Sequence, residues 1–470
     1  MKDFDLAVIG AGAAGLSVTY VAAQLGLRVA LIERGRMGGD CLNVGCVPSK
    51  ALLAAGHAAS AVRGAGRFGV DAPEPAIRWD GVRAHVHGAI AALTPADTVE
   101  RYEGLGATVL KAHARFVGRD ALDVGGQRLT ARRIVVAAGS RAVVPDVPGL
   151  DQVPYLTNET LFDLAERPEH LLILGGGPIG LEMAQAHAAL GARVTVVQRG
   201  AIAPKEEPEL VDDLRAALLA QGVVLHEHAE VRAVEPGPVL VLKNGRRVVG
   251  SHLLVAVGRV PSLDGLDLPA GRVRVTDKGV ATDAGLRSPT NRVVYAAGDI
   301  ADPVGIGPRY FTHVGSYHAG IIVRRALFRV PAKLDYAALP RVTYTDPELA
   351  QVGLTEAEAR AAGHEVEVLS WSLTENDRAV TEGDTAGRVK LVVSGGRVLG
   401  AGILAPHAGE MIGMWTLAIQ ERVALSKLAG MIVPYPTRAE AGKRAAGTQF
   451  TPRLFAPKPR LLARLFARLP

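Results

Sequence analysis

Only two of the 470 residues are cysteine, which excludes a small secreted scaffold stapled by disulfides. Aromatic residues make up 4% of the chain, and no stretch combines them with basic side chains as a nucleic-acid surface would. No apolar run reaches the length of about 18 residues that a membrane-spanning helix needs. A charged-then-apolar leader is missing as well: an apolar strand pattern begins by Asp5. The expected compartment is therefore the cytoplasm. The net charge of +6 is spread thinly along the body and carries no partner assignment. A chain of this length exceeds the size at which one core stops growing, so about two to four domains are expected.

Glycine, by contrast, is abundant at 54 residues, and two clusters of it are informative. The stretch "DLAVIGAGAAGLSVTYVAAQLGLRVALIER" reads as a buried strand, a glycine turn, an alanine-rich helix and a second strand ending at Glu33. Gly10, Gly12 and Gly15 fit G-x-G-x-x-G. In that setting the first glycine permits the turn, the second lets a pyrophosphate reach N–H groups at the helix N-terminus, and the third packs helix on strand. Glu33 stands where an acid accepts ribose hydroxyls. The pattern recurs in "HLLILGGGPIGLEMAQAHAALGARVTVVQR", with Gly175, Gly177 and Gly180. Where Glu33 stood, this copy has Gln198, followed by Arg199 and then Lys205. An amide beside two cations attracts a ribose 2′-phosphate that a carboxylate would repel, so NADPH is expected over NADH. The plain alternative is that Arg199 and Lys205 are solvated surface charges.

The two cysteines, Cys41 and Cys46, lie in "GGDCLNVGCVPSK". A regular helix through them would separate the two by about 7.5 Å of rise, beyond the usual span of a disulfide. Bonding requires an irregular turn, for which Asn43 and Gly45 supply the freedom. Pro48 suits the first turn of a following helix, which puts Cys46 at that helix's positive end, where a thiolate is stabilised. Two cysteines without a paired histidine motif do not close a zinc site, and no resident metal is expected.

Together with the two glycine turns, "CLNVGCVPSK" resembles the class I pyridine nucleotide-disulfide oxidoreductases, the family of glutathione reductase, dihydrolipoamide dehydrogenase and mercuric reductase. The likeness extends through "IVVAAGSR", "VAVGRVPSLDGL", "VYAAGDI" and "RVTYTDPELAQVGLTEAEAR". The resemblance implies an α/β protein with two doubly wound, Rossmann-like dinucleotide domains and a C-terminal α+β dimerisation domain. It places an FAD-binding domain at 1–148 and 271–332, an NAD(P)-binding domain at 149–270, and an interface domain at 333–455. FAD is implied on Gly10, Gly12, Gly15 and Glu33, with the backbone of Ala114 near the adenine, Asp299 on the ribityl and pyrophosphate region, and Thr312 opening a helix toward the pyrimidine end. Gly258 is a further cofactor contact, and Lys50 pairs with Glu182 near the flavin. The resemblance also makes Cys41–Cys46 a redox-active disulfide, with Cys46 next to the flavin and Cys41 facing substrate.

The thiol-handling members carry His-Pro-Thr-x-x-Glu, and here Pro436, Thr437 and Glu440 match while Tyr435 stands in place of the histidine. An ordinary tyrosine titrates near about pH 10 and is a poor proton shuttle. Mercuric reductases carry tyrosine there, so the resemblance is closest to a mercuric reductase-like branch passing electrons from NADPH to a soft metal ion or small disulfide. Against that branch, no second cysteine pair follows near the C-terminus. His313, beside Thr312, is a candidate substitute acid/base whose plain reading is a cap or core residue. Alternatives are a dihydrolipoamide dehydrogenase-like enzyme or a flavin-bearing redox sensor. A homodimer is implied, because Tyr435 and Glu440 serve the cysteines only from a neighbouring chain. Residues 456–470 form a basic amphipathic tail, with Arg460, Arg464 and Arg468 opposite Leu461, Leu465 and Phe466. It is read either as a docked helix or as a membrane-surface contact.

Overall fold

The apolar run before Gly10 forms a strand, β1 (Phe4–Ile9), in which Leu6, Ala7 and Val8 are fully buried. Such double-faced burial suits the centre of a parallel sheet. In the computed structural model, which describes residues 2–469, β1 pairs in parallel with β2 (Val29–Ile32) and β6 (Gln127–Val136). The helix α1 (Ala13–Gln24) makes the crossover from β1 to β2. The sheet continues beyond β2 to β3 (Ala107–Leu110), while β5 (Ala121–Val124) and β4 (Ala114–Gly118) extend it antiparallel on the far side of β6. The late strand Val294–Ala296 also pairs in parallel with β6. That return carries Asp299 to the C-terminal edge of the sheet, where β1 delivers its glycine turn.

The described chain forms two compact units. The first holds residues up to 175, 232–241 and 245–334, including this sheet and both cysteines. The second holds residues 176–231, 242–244 and 335 onward. Within the second, the strand Arg193–Val197 pairs in parallel with Val224–His226 after the helix Pro178–Ala189. A five-stranded antiparallel sheet follows, in the order Pro340–Thr343, Glu348–Gly353, Arg397–Ala405, Arg388–Ser394, Glu367–Ser372. The helix Ala408–Gln420 covers it and sinks Trp415 into its core. Inside this unit, buried Lys390 donates to Glu207 (2.9 Å), Glu209 (2.9 Å) and Glu356 (3.0 Å). Three carboxylates meet the requirement that a buried cation be compensated.

At the end of the chain the helix Pro457–Phe466 has no buried residue. No described helix is long and apolar enough to cross a membrane.

Candidate active site

Backbone crowding explains the first glycine turn. Gly10 has φ +104°, and a Cβ there would lie 2.4 Å from the carbonyl oxygen of Ala137. A Cβ on Gly15 would lie 1.8 Å from the oxygen of Gly10. Gly12 is different: a Cβ there would meet only the Cα of Gly39 at 3.8 Å, so no protein neighbour forbids a side chain and its bareness leaves room at the helix N-terminus. No side chain caps the N-terminus of α1, which leaves its first N–H groups directed outward. The Glu33 carboxylate accepts from Ala11 N (2.7 Å) and Gly35 N (2.6 Å). It keeps lone pairs for ribose hydroxyls. These features fit a bound dinucleotide.

Directly behind Gly12 lies the cysteine segment. A short helix, α2 (Gly39–Asn43), carries Cys41 and stops at Val44; a second, α3 (Cys46–Gly64), starts at Cys46. The irregular turn expected between the cysteines is this break. Asn43 braces it by donating to Met37 O and Gly39 O, both at 2.8 Å. Gly45 is required at the break, since a Cβ would come within 2.8 Å of Asp40 O and 3.3 Å of Cys41 Cα. Cys41 is half-buried and Cys46 exposed. The Cys46 Sγ lies 3.3 Å from Thr312 Oγ1. Hydrogen bonding to Cys46, burial and the Cys46 charge together push the Cys41 thiol far up. The N-terminus of α3 is placed to stabilise negative charge on the Cys46 sulfur.

Thr312 opens the helix Thr312–Ile322, as expected. Its Gly315 lies close against the start of α1, where a Cβ would be 3.2 Å from Ala14 N. Two helix N-termini thus converge beside the thiols. His313 is exposed and stacks on Phe311, with ring centroids 5.1 Å apart. Lys50 is half-buried one turn after Cys46 on α3.

Asp299 anchors a network that motif reading did not single out. Ser140 Oγ donates to Asp299 at 2.5 Å, Arg259 Nε donates to Ser140 Oγ at 2.7 Å, and Arg259 forms an ion pair with Asp40. Burial raises the Asp299 carboxyl above its usual range, opposed by the Ser140 hydroxyl and Arg259. The turn before Asp299 is held by His318, whose Nδ1 accepts from Gly298 N at 3.0 Å. Ser140 and Arg259 lie inside quoted motifs, and Asp40 precedes Cys41. Their convergence across 219 residues leaves no trace in local spacing.

Burial pushes the His318 imidazole down to about 4, against about 6.5 in the unfolded chain. Between those values the unfolded state binds the extra proton, so stability present above about pH 6.5 is lost as pH falls toward 4. The whole window is worth about 3 kcal/mol. We expect the urea midpoint to fall more steeply from pH 7 to about 4.5 in the native protein than in His318→Gln. Parallel slopes would remove His318 as the cause.

The second glycine turn repeats the first in its own terms. Gly175 has φ +117°, with a would-be Cβ 2.4 Å from Ala256 O, and Gly180 is buried in the helix that follows Gly177. Gln198 Oε1 accepts from Gly176 N at 2.8 Å, the role Glu33 plays toward Ala11. Its amide N–H groups point the remaining chemistry toward donation rather than acceptance. Arg199 and Lys205 are exposed, and neither side chain makes a hydrogen bond or ion pair among the described residues. Gly258 has φ +145° and accepts from Val143 N at 2.9 Å. Buried Glu182 accepts from Tyr344 N at 3.0 Å. Ala114 begins β4 and is buried.

In the second unit, Tyr435 is 70% exposed and donates to Asp377 at 2.9 Å. That carboxylate pushes the phenol above its ordinary value, with Glu440 acting in the same direction. Glu440 lies in the first turn of the helix Ala439–Thr448. Among the described residues, no three His, Cys, Asp or Glu side chains group as a metal site.

A dinucleotide turn set against a hydrogen-bonded thiol pair, in a chain with a second such turn, defines the class: a flavoprotein disulfide oxidoreductase. The chain belongs to the pyridine nucleotide-disulphide oxidoreductase family, whose main domain matches residues 4–324 and whose dimerisation domain matches 339–446. It is an FAD-dependent oxidoreductase using NAD(P)H, and the dimerisation domain supports a homodimer. It is 38% identical over 460 residues to the mercuric reductase of Streptomyces lividans, covering 95% of this chain and 96% of that one. To the mercuric reductase of Bacillus cereus it is 34% identical over 456 residues, covering 95% and 71%. Among solved structures, LpdA of Mycobacterium tuberculosis matches with a TM-score of 0.85 at 27% identity, over 96% of this chain and 100% of that one. A Cu(II) complex of the HOCl-induced flavoprotein disulfide reductase RclA of Escherichia coli matches with a TM-score of 0.82 at 26% identity, over 93% and 98%.

Proposed function

We propose that this enzyme uses NADPH to reduce a soft metal ion, with Hg(II) the first candidate. The observation that carries the reading is the Cys41–Cys46 pair combined with Tyr435 in place of an acid/base histidine. A disulfide acceptor releases a thiolate that must be protonated. Tyr435, held above its usual titration range by Asp377, is a poor donor for that step. A soft cation makes no such demand. Cys46 offers a thiolate, Cys41 gives up its proton to solvent, and two sulfurs hold the ion. When bound, FAD supplies the two electrons, taken from the nicotinamide, that convert Hg(II) to Hg(0). Release of the metal atom leaves both thiolates intact, and one regains a proton.

The chain's own residues have stated parts in this proposal. The N-terminus of α1 with Gly12 holds the pyrophosphate, Glu33 the ribose, and Asp299 the ribityl region, steadied by Ser140 and Arg259. Ala114 and Gly258 line the cofactors, Thr312 keeps Cys46 oriented, and Lys50 and Glu182 act as a pair near the flavin. Arg199 and Lys205 bind the 2′-phosphate. Tyr435 and Glu440 complete the metal site from the second subunit.

Steady-state assays with NADPH and NADH against thiol-buffered Hg(II), oxidised glutathione and lipoamide test this. We expect kcat/KM for Hg(II) to exceed that for either disulfide by at least about tenfold, and Arg199→Glu with Lys205→Glu to lose the NADPH preference by a similar factor. Faster turnover of a disulfide would reassign the enzyme to the dihydrolipoamide dehydrogenase-like alternative.

The tail supports a second, separate proposal: a peripheral contact with anionic membrane surface by an enzyme of the cytoplasm. Leu461, Leu465 and Phe466 are 59%, 50% and 63% exposed, and Lys458, Arg460, Arg464 and Arg468 carry no acidic neighbour in the segment. That pairing fits an acidic lipid interface. Sedimentation with phosphatidylglycerol vesicles is expected to carry down the full chain and not a form ending at residue 456; equal partitioning of both forms would sink the proposal.

A further inference from the structure

A cavity of about 720 Å³ opens within the first unit, away from the thiols. It is lined by Arg133 on β6, by Asp283 and Arg287 in the turn after the strand Gly279–Thr282, and by Arg325, Arg329 and Lys333 after the helix Thr312–Ile322. Arg325 lies thirteen residues beyond Thr312, so the rise of the helix sets it about 20 Å from the cysteine end. Five cations thus face one carboxylate. Asp283 is already engaged: it pairs with Arg325 at 2.9 Å and accepts from Gly285 N at 2.8 Å and Arg287 N at 3.0 Å. Arg329 and Lys333 make no hydrogen bond or ion pair among the described residues, and Arg133 Nε is buried without an acceptor. Burial pushes the Arg287 guanidinium below its ordinary value, opposed by Tyr295 and assisted by the charges of Arg292, Arg133 and Arg325. Asp283 is the one acidic residue in the lining, so most of this positive charge is left without a carboxylate partner.

Two local features accompany Arg325 and Arg329. Gly285 leaves room for the guanidinium of Arg325, which would lie 1.3 Å from a Cβ at that position. Arg329 has φ +57° at the end of the helical turn Val323–Leu327, where Val330 N returns to Arg324 O at 2.9 Å. This is a helix C-cap at which glycine is the favoured residue. An arginine there accepts left-handed backbone strain and adds a charge to the cavity lining. Val330, Pro331 and Ala332 supply an apolar wall beside the charges. The volume falls in the range of about 300–1,000 Å³ typical of small-molecule sites.

We propose that this cavity is a second, non-catalytic binding site for a small multivalent phosphate. Inorganic polyphosphates and nucleoside polyphosphates share that chemistry: several phosphoryl groups satisfy the forked donors of the arginines, and a base would rest on the wall at Val330–Ala332.

The test is isothermal titration of the flavin-loaded enzyme, with NADP⁺ saturating so that the dinucleotide sites are filled. Tripolyphosphate and ATP are the two probes, each at low and raised salt. Binding is expected to weaken with salt, as multiple phosphate contacts require, and to fall at least about tenfold in Arg287→Gln and in Arg329→Gly. Arg329→Gly relieves the left-handed backbone, so its melting temperature is expected to hold or rise while affinity drops. Comparable affinity for the two probes assigns an inorganic polyphosphate, and tighter ATP binding a nucleotide; both support the site. No binding of either probe, or undiminished binding in both variants, overturns it. NADPH oxidation is read alongside, and the proposal stands or falls independently of which acceptor the thiols serve.

Discussion

Cys46→Ser is expected to abolish reduction of every acceptor, by at least about a thousandfold, while the protein stays folded and yellow. Cys46 is exposed and lies at the start of α3, so its sulfur contributes little to packing. Cys41→Ser is expected to cost as much turnover for a different reason: in the proposed mechanism it removes one of the two sulfurs that hold the acceptor. The two variants separate on one spectrum. Addition of NADPH without oxygen is expected to give a long-wavelength thiolate-to-flavin band in Cys41→Ser, where the Cys46 thiolate remains, and none in Cys46→Ser. A band in Cys46→Ser, or full activity in either variant, would show that the thiol roles have been assigned wrongly.

A second large effect is expected at Gly15. A Cβ there falls 1.8 Å from Gly10 O and 3.3 Å from Val8 Cγ1. The Gly10 carbonyl cannot yield, because Gly10 is itself close against Ala137. Gly15→Ala therefore strains the fold by about 1–3 kcal/mol or more and should yield a colourless protein that melts several degrees lower even without flavin. Gly12→Ala is the informative contrast. With 3.8 Å to its nearest neighbour, the new methyl group crowds the ligand and not the chain, so the flavin-free protein should melt normally yet bind FAD weakly. Spectral titration with FAD and melting of the flavin-free forms check both. A normal flavin affinity in Gly15→Ala would mean that the turn relaxes in a way its packing does not allow.

Both predictions rest on elements whose positions were legible in the chain. The glycine spacing and apolar flanks placed β1, α1 and the turn, because a parallel strand buried on both faces and a helix entered through glycine each impose a local pattern. The cysteine spacing likewise required a break, and Gly45 is where it falls. Tyr435 was readable as a substitution, but its hydrogen bond to Asp377 was not, since the two are 58 residues apart. His318 reads as an ordinary helical residue until the fold buries it and turns Gly298 N toward its ring.

The sequence alone therefore carried the signals on which the proposed chemistry rests: two glycine turns, one cysteine pair and Tyr435 before Pro436 all reside in short segments whose spacing is itself the signal. Tertiary structure decided which side chains support that chemistry. The Asp40–Arg259–Ser140–Asp299 network and the arginine-lined cavity both assemble from segments more than a hundred residues apart. Charge and burial at such places are properties of convergence in space, and no local periodicity encodes them.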